Sequence, residues 1–125
     1  LTITLSMEWA GHDVRVNSVA PGTILSSGML TYPRAVQETA VKGAADSSPA
    51  RLGTESEVSA AIVFLLSPAA AYITGVSLPV DGGSQFHKGR LLPMGHHRGL
   101  TPLDGFHLKP DFSGTPFARR EEPEG

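Results

Sequence analysis

The chain has 125 residues, enough for one small domain, and 40% of them are apolar, which is ordinary for a globular protein. A formal net charge of −2 without a dense lysine or arginine run argues against a nucleic-acid or anionic-membrane surface. The absence of cysteine excludes disulfides and thiolate metal sites and fits a cytoplasmic protein, and no apolar run is long enough to span a bilayer.

Residues 1–10 alternate apolar and polar side chains, which is the period of a half-buried strand. Drawn as a helix, the same residues are apolar on two opposite faces, as in a helix packed between two neighbours. The residues alone leave both interpretations open. Because Leu1 begins in the middle of this pattern, without a methionine or a signal peptide, we expect the chain to be a fragment.

A β-branched run over residues 14–20 predicts a buried parallel strand, which Pro21-Gly22 ends. In open α/β sheets, ligands bind beyond the carboxyl ends of the strands, and this turn has that place. Glycine lets the backbone approach a ligand closely because it has no Cβ. A tight turn without a ligand is the alternative.

The following segments are predicted in turn as a loop over 23–33, a surface helix over 34–45 and a second helix over 55–66. Thr54 and Glu57 form a capping box at the start of that second helix. Its predicted buried face consists of Val58, Ala61, Ile62, Leu65 and Leu66. The run over 76–80 is predicted to be an edge strand, because Pro79 cannot donate to a ladder.

The pattern changes after Ser84, where prolines and glycines accumulate without periodicity. This composition predicts a loop-like or disordered extension over 87–125. Four of the five histidines lie there, but their spacing matches no helical pair, and neither cysteine nor a paired carboxylate accompanies them. We therefore favour a solvated polar tail over a metal site for His87, His96, His97 and His107.

Several motifs, in this order and spacing, resemble the C-terminal portion of a short-chain dehydrogenase/reductase. They are Leu5 with 8–10 (EWA), 14–22 (VRVNSVAPG), 49–53 (PARLG), 57–58 (EV), 64–67 (FLLS), 72–75 (YITG) and 80–83 (VDGG). The chain looks most similar to the enoyl-CoA reductase branch and to the medium-chain or terpenoid alcohol dehydrogenase branches. The resemblance implies an α/β fold, the C-terminal part of a Rossmann-like doubly wound parallel sheet. Its domain would cover 1–86, with 14–20 as penultimate strand, 76–80 at the edge and a helix over 1–10.

The resemblance also implies a cofactor site for NAD or NADP, without distinguishing the two. In this family the loop after Pro-Gly closes over the nicotinamide, so Pro21 and Gly22 match its turn. Ile24 matches the position whose backbone binds the carboxamide, and Ser26 stands where a hydroxyl contacts the cofactor. Residues 23–49 correspond to the substrate-binding region. Asn17 matches a structural asparagine, and 74–75 and 81–83 match turns that shape the sheet edge.

The catalytic Tyr-x-x-x-Lys of the family is missing, since neither Tyr32 nor Tyr72 has a lysine four positions on. The glycine-rich phosphate loop is missing as well. The resemblance therefore implies part of an NAD(P)-dependent oxidoreductase that acts on a small molecule, interconverting an alcohol and a carbonyl or reducing an enoyl thioester. We expect the 125 residues alone to be inactive, and the parent to form a homo-oligomer through helix 1–10 and edge strand 76–80. The alternative is a non-catalytic truncated product that serves only in oligomerisation or interaction.

Overall fold

The chain folds as an α/β structure with parallel strands in a computed structural model that describes residues 1–47, 49–86, 101–105 and 111–118. Residues 1–10 are mostly helical, as the resemblance implied, and not a strand. The helices are α1 (Thr2–Glu8), α2 (Arg34–Gly43) and α3 (Glu55–Leu66). The strands are β1 (Ser18–Pro21), β2 (Ile24–Leu25), β3 (Gly53–Thr54) and β4 (Ser77–Val80).

Strands β1 and β4 form the longer parallel ladder, in which Ser18 lies opposite Ser77 and Ala20 opposite Pro79. Within the described residues β4 pairs with β1 along one side, in agreement with the edge position expected from Pro79. Leu78 and Val80 alternate with more exposed neighbours, which is the pattern of a strand with one inner face.

The predicted strand over 14–20 is wrong at its start, since β1 begins only at Ser18. Ahead of it, the Val16 N–H donates to Thr74 Oγ1 at 3.1 Å, and the Gly75 N–H donates to the Val16 carbonyl at 2.7 Å. Residues 14–17 therefore lie beside a turn and not beside a strand, because β4 begins only at Ser77.

The predicted loop over 23–33 contains a strand. β2 pairs in parallel with β3, with Ile24 opposite Gly53 and Leu25 opposite Thr54, and a 3₁₀ turn follows at Ser27–Thr31. Two residues are too few to show a period of two, so the sequence pattern could not reveal this ladder. The β2–β3 ladder places the start of the 23–33 segment beside the start of α3.

Helix α3 begins with the predicted capping box: the Glu57 N–H donates to Thr54 Oγ1 at 3.2 Å and the Thr54 N–H donates to Glu57 Oε2 at 2.9 Å. The predicted buried face is only partly right. Leu65 is 7% exposed, but Ile62 is 42% and Leu66 77% exposed. The cause is that Val63 and its neighbours make α3 apolar almost all round, so helical periodicity selects no single side.

Helix α1 packs through a small polar residue instead of an apolar stripe. Ser6 is buried, and its hydroxyl donates to the Ile3 carbonyl at 2.7 Å. Gly75 lies against it with φ of +75°, and a Cβ at Gly75 would lie 2.8 Å from Ser6 Oγ. The large side chains of Ile3 and Met7 remain exposed.

Part of the predicted extension contacts the fold, since the Gly105 N–H donates to Ser56 Oγ at 3.0 Å. Phe117 is buried and meets Phe112 edge to face, with ring centroids 6.3 Å apart. The domain boundary near residue 86 stays a prediction, and the four histidines of the tail lie outside the described residues. In the described ranges, no helix combines the length and the apolar character needed to cross a bilayer.

Candidate functional site

A cavity of about 290 Å³ lies where the carboxyl ends of β1 and β4 meet. Thr23 and Ile24 form its wall on the β1 side, and residues 79–84 form the wall on the β4 side. The turn after α2, including Ser47, lines it as well. This is the edge of a parallel sheet at which ligands of α/β proteins bind.

Of the four residues predicted to bind a cofactor, Ile24 lines this cavity, whereas Pro21, Gly22 and Ser26 lie beside its lining. Pro21 is the last residue of β1, opposite Val80. The four therefore lie within one short segment, residues 21–26, but only one of them lines the cavity.

Gly22 has a structural reason to be glycine. Its N–H donates to the Val80 carbonyl at 3.0 Å, and a Cβ at position 22 would lie 2.8 Å from the Cα of Asp81. The sequence suggested that the missing Cβ of Gly22 lets a ligand approach closely, but in the structure it is the main chain at the end of β4 that approaches.

The main chain of Ile24 fits a polar ligand better. Gly53 donates its N–H to the Thr23 carbonyl at 3.1 Å, so in this parallel ladder the N–H and C=O of Ile24 point away from β3. Ser26 is half-buried at the start of the 3₁₀ turn, and its hydroxyl makes no capping hydrogen bond. As far as the described residues show, the Ile24 main chain and the Ser26 hydroxyl could therefore hydrogen-bond a polar ligand, and their role in binding a cofactor stays a prediction.

An ion pair that the sequence did not predict forms the α3 side of the cavity. Arg51 binds Glu57 through two hydrogen bonds, of 2.6 and 3.0 Å, and also donates to the Leu52 carbonyl. Both side chains are about three-quarters buried. The Arg51 guanidinium holds the pKa of Glu57 below its ordinary value, against the opposing effect of burial. The capping box in the sequence indicated Glu57, but no sequence pattern around it indicated that Arg51 is its partner.

Asp81 organises the opposite wall as a turn-forming residue. Its carboxylate accepts hydrogen bonds from the N–H groups of Gly83 and Gln85 and from the Ser84 hydroxyl. Burial alone would raise the pKa of Asp81, but these hydrogen bonds outweigh it and lower the pKa. Gly82 packs on the facing loop at φ of +61°. The predicted turn role of 81–83 is confirmed.

Two polar side chains fix the approach to β1. Asn17 Nδ2 donates to the Ile73 carbonyl at 2.9 Å, and its Oδ1 accepts from the Val76 N–H at 3.1 Å, which confirms the structural role predicted for it. Arg15 donates to the Leu65 carbonyl at 2.7 Å, near the C-terminal end of α3, where the helix dipole favours a cation.

Comparison with known proteins identifies the family of this site. The family model described as Enoyl-(Acyl carrier protein) reductase matches residues 1–85. Galactitol 2-dehydrogenase (L-tagatose-forming) of Cereibacter sphaeroides is 44% identical over 84 residues, which cover 66% of this chain and 32% of that protein. Peroxisomal 2,4-dienoyl-CoA reductase of Mus musculus is 37% identical over 84 residues, covering 67% of this chain and 29% of that protein.

The fold agrees with these relatives. A crystal structure from Sinorhizobium meliloti 1021, whose name is that of a short-chain alcohol dehydrogenase, superposes with a TM-score of 0.60 at 38% identity, covering 69% of this chain and 34% of that one. The chain spans about a third of the length of the curated relatives it matches. Its strands, helices and motifs over residues 1–85 place it in a family of oxidoreductases. The chain belongs to the short-chain dehydrogenase/reductase family.

Proposed function

We propose that the chain is the C-terminal portion of an NAD(P)-dependent oxidoreductase that interconverts an alcohol and a carbonyl or reduces an enoyl thioester. The named activities of its relatives, a polyol dehydrogenase and a dienoyl-CoA reductase, support both reaction types and do not choose between them. The cysteine-free composition supports a cytoplasmic setting for this reaction.

One observation carries the cofactor part of this proposal. The segment that follows β1 leaves the sheet at its carboxyl edge and is held there by β3, with the backbone groups of Ile24 directed away from that partner. The Ser26 hydroxyl, which makes no capping hydrogen bond, follows two positions later. The bound nicotinamide would supply the hydride in a reduction or accept it in an oxidation, and these residues would orient its carboxamide.

The cavity and its α2 side would then belong to the substrate. Residues 23–49 include α2, which Gln37 anchors by donating to the Tyr32 carbonyl at 2.9 Å. The proton that the reaction moves needs an acid or base that this chain does not contain in the Tyr-x-x-x-Lys pattern. We therefore expect no turnover of NADH or NADPH by the purified 125 residues.

The cofactor assignment is tested in a chimaera. In galactitol 2-dehydrogenase of Cereibacter sphaeroides, the 84 residues that match this chain are exchanged for this chain's own. We expect the chimaera to bind NADH or NADPH, which is followed by the change in the fluorescence of the reduced nicotinamide on binding. Ser26→Ala should weaken that affinity about 2- to 12-fold, the effect of one hydrogen bond.

The matched control is Ser27→Ala, one position on and exposed, which should leave the affinity unchanged. Gly22→Val is a poor probe, because it also collides with Asp81. A folded chimaera whose cofactor affinity is indifferent to Ser26→Ala would refute the assignment of Ser26. Loss of all cofactor binding in a folded chimaera would refute the wider proposal.

The alternative, a non-catalytic piece that acts in oligomerisation, is favoured by the exposed apolar surface. Leu1, at the N-cap of α1, is 94% exposed, and Ile3 and Met7 within α1 are 66% and 75% exposed. We propose that the parent forms a homo-oligomer through helix 1–10 and edge strand 76–80, since monomers rarely leave such patches open. The proposed oxidoreductase and the non-catalytic alternative could both oligomerise through this surface.

Self-association is tested by light scattering after size exclusion. Met7→Glu should shift the chain toward monomer, and Thr4→Lys, at an exposed polar position on α1, is the control for added charge. A monodisperse monomer at all concentrations, in the unmutated chain, would contradict the proposed surface.

A further inference from the structure

The first turn of α3 holds a segment from outside the part of the chain that the family model matches. The Thr54 hydroxyl donates to the Leu103 carbonyl at 2.7 Å, and the Gly105 N–H donates to Ser56 Oγ at 3.0 Å. The family match ends at residue 85, so these contacts belong to this chain's own extension and not to the shared fold.

The two hydroxyls are well placed for this role. Thr54 Oγ1 already accepts from the Glu57 N–H as the helix cap, which leaves its proton free for a carbonyl. Ser56 is 7% exposed, so its oxygen would be costly to bury without a partner, and Gly105 supplies one. Linked hydrogen bonds of this kind, from Glu57 through Thr54 to Leu103, strengthen one another.

The extension makes these contacts with its main chain. Leu103 accepts through its carbonyl while its side chain is 50% exposed, and Gly105 donates through its amide. Backbone recognition requires an extended segment in one register and no particular side chains. A transient contact of a polar tail would not satisfy the Thr54 and Ser56 hydroxyls at the same time.

We infer that the first turn of α3 is the docking surface for this chain's own segment 101–105, and that docking holds the Arg51–Glu57 pair in the cavity wall. The connection runs through Thr54, which bonds the segment on one side and Glu57 on the other. Arg51 is the main group that lowers the pKa of Glu57, and the main chains of Thr54 and, to the smallest extent, Leu103 lower it as well. This inference needs neither cofactor nor turnover, and it can fail while the proposed function stands.

The test is amide hydrogen exchange by NMR on the full 125-residue chain. In the unmutated protein the Gly105 amide should be protected, and Ser56→Ala should accelerate its exchange about 2- to 12-fold, the equivalent of one hydrogen bond. The amides of the first turn of α3, including Glu57, should accelerate with it. Ser59→Ala, one turn further along the same helix, should change neither.

Gly105→Pro removes the same hydrogen bond from the other side, since proline has no N–H. Combined with Ser56→Ala it should add little, and it should raise the titration midpoint of the Glu57 carboxyl, followed by its side-chain ¹³C shift. Docking is refuted if the Gly105 amide exchanges at the unprotected rate in the unmutated chain. The proposed link between docking and the Arg51–Glu57 pair is refuted if the effects of Ser56→Ala and Gly105→Pro are fully additive. It is also refuted if Gly105→Pro leaves the titration midpoint of Glu57 unchanged. If Gly105→Pro does not fold, the exchange rates in Ser56→Ala and Ser59→Ala still decide the docking.

Discussion

Gly22 and Asp81 touch through their backbones: a Cβ at Gly22 would lie 2.8 Å from the Asp81 Cα and 2.9 Å from its Cβ. The turn after β1 and the turn after β4 are thus built as one unit. The Pro21-Gly22 motif suggests a ligand site, but in the described structure the contact with Asp81 explains why position 22 is glycine.

Gly22→Ala should therefore destabilise the fold. The Asp81 backbone must shift, and overpacking of this kind costs about 1–3 kcal/mol. Urea unfolding followed by circular dichroism measures the loss. Gly11→Ala is the matched control, because a Cβ at Gly11 meets nothing within 4 Å. Equal stability of the two variants would contradict the contact.

Breaking the Arg51–Glu57 pair should cost more than breaking a surface pair. Glu57→Gln loses charge-assisted hydrogen bonds to a partly buried partner, worth about 1.5–3 kcal/mol of unfolding free energy. Glu38→Gln is the control, because its pair with Arg34 is mostly exposed and should contribute less than about 0.5 kcal/mol.

The same pair should make stability depend on pH. The folded pKa of Glu57 lies below its ordinary value of 4.5, so the unfolded chain takes up the proton first as the solution is acidified. The contribution is complete above about pH 4.5 and is lost as the pH falls through the folded pKa. The stability difference between the unmutated chain and Glu57→Gln should therefore shrink below pH 4.5. A difference that stays constant down to pH 2.5 would contradict the lowered pKa.

Asn17→Ala should lower the unfolding free energy by about 1–3 kcal/mol, because it leaves the Val76 N–H without its partner and removes the shorter of two hydrogen bonds that the Ile73 carbonyl accepts, the other coming from Arg15. Thermal unfolding measures the effect. Thr31→Ala is a suitable comparison, since its hydroxyl bond to Gly28 is local and exposed and should matter little.

Ala50→Gly should stabilise the protein. Ala50 has φ of 51°, a left-handed conformation that costs an L-residue about 1–2 kcal/mol, against about 0.5–1 kcal/mol of added chain entropy for glycine. The net gain is up to about 1.5 kcal/mol in thermal unfolding. Ala60→Gly, exposed within α3, should have the opposite sign and lose about 1 kcal/mol. A loss at both positions would contradict the strain at Ala50.

Local signals predicted local structure well. The capping box identified the start of α3, and the Pro21-Gly22 pair identified the end of β1, because each depends on neighbours along the chain. The partner of Glu57 and the reason for Gly22 depend on residues brought together by folding, so no local pattern could show them. The apolar circumference of α3 misled the prediction of its buried face for a related reason: burial depends on what packs against the helix.

The parallel pairing of β1 with β4 has a consequence for how the chain folds. The hydrogen bond from Val76 to Asn17 joins positions 59 residues apart, and the ladder beyond it is equally remote. Closing so long a loop costs entropy before any strand contact compensates for it, so ladders of this kind form slowly. Helix α3 lies inside that loop and carries its own cap, and we expect it to form on a faster timescale and to shorten the distance that the two strands must search.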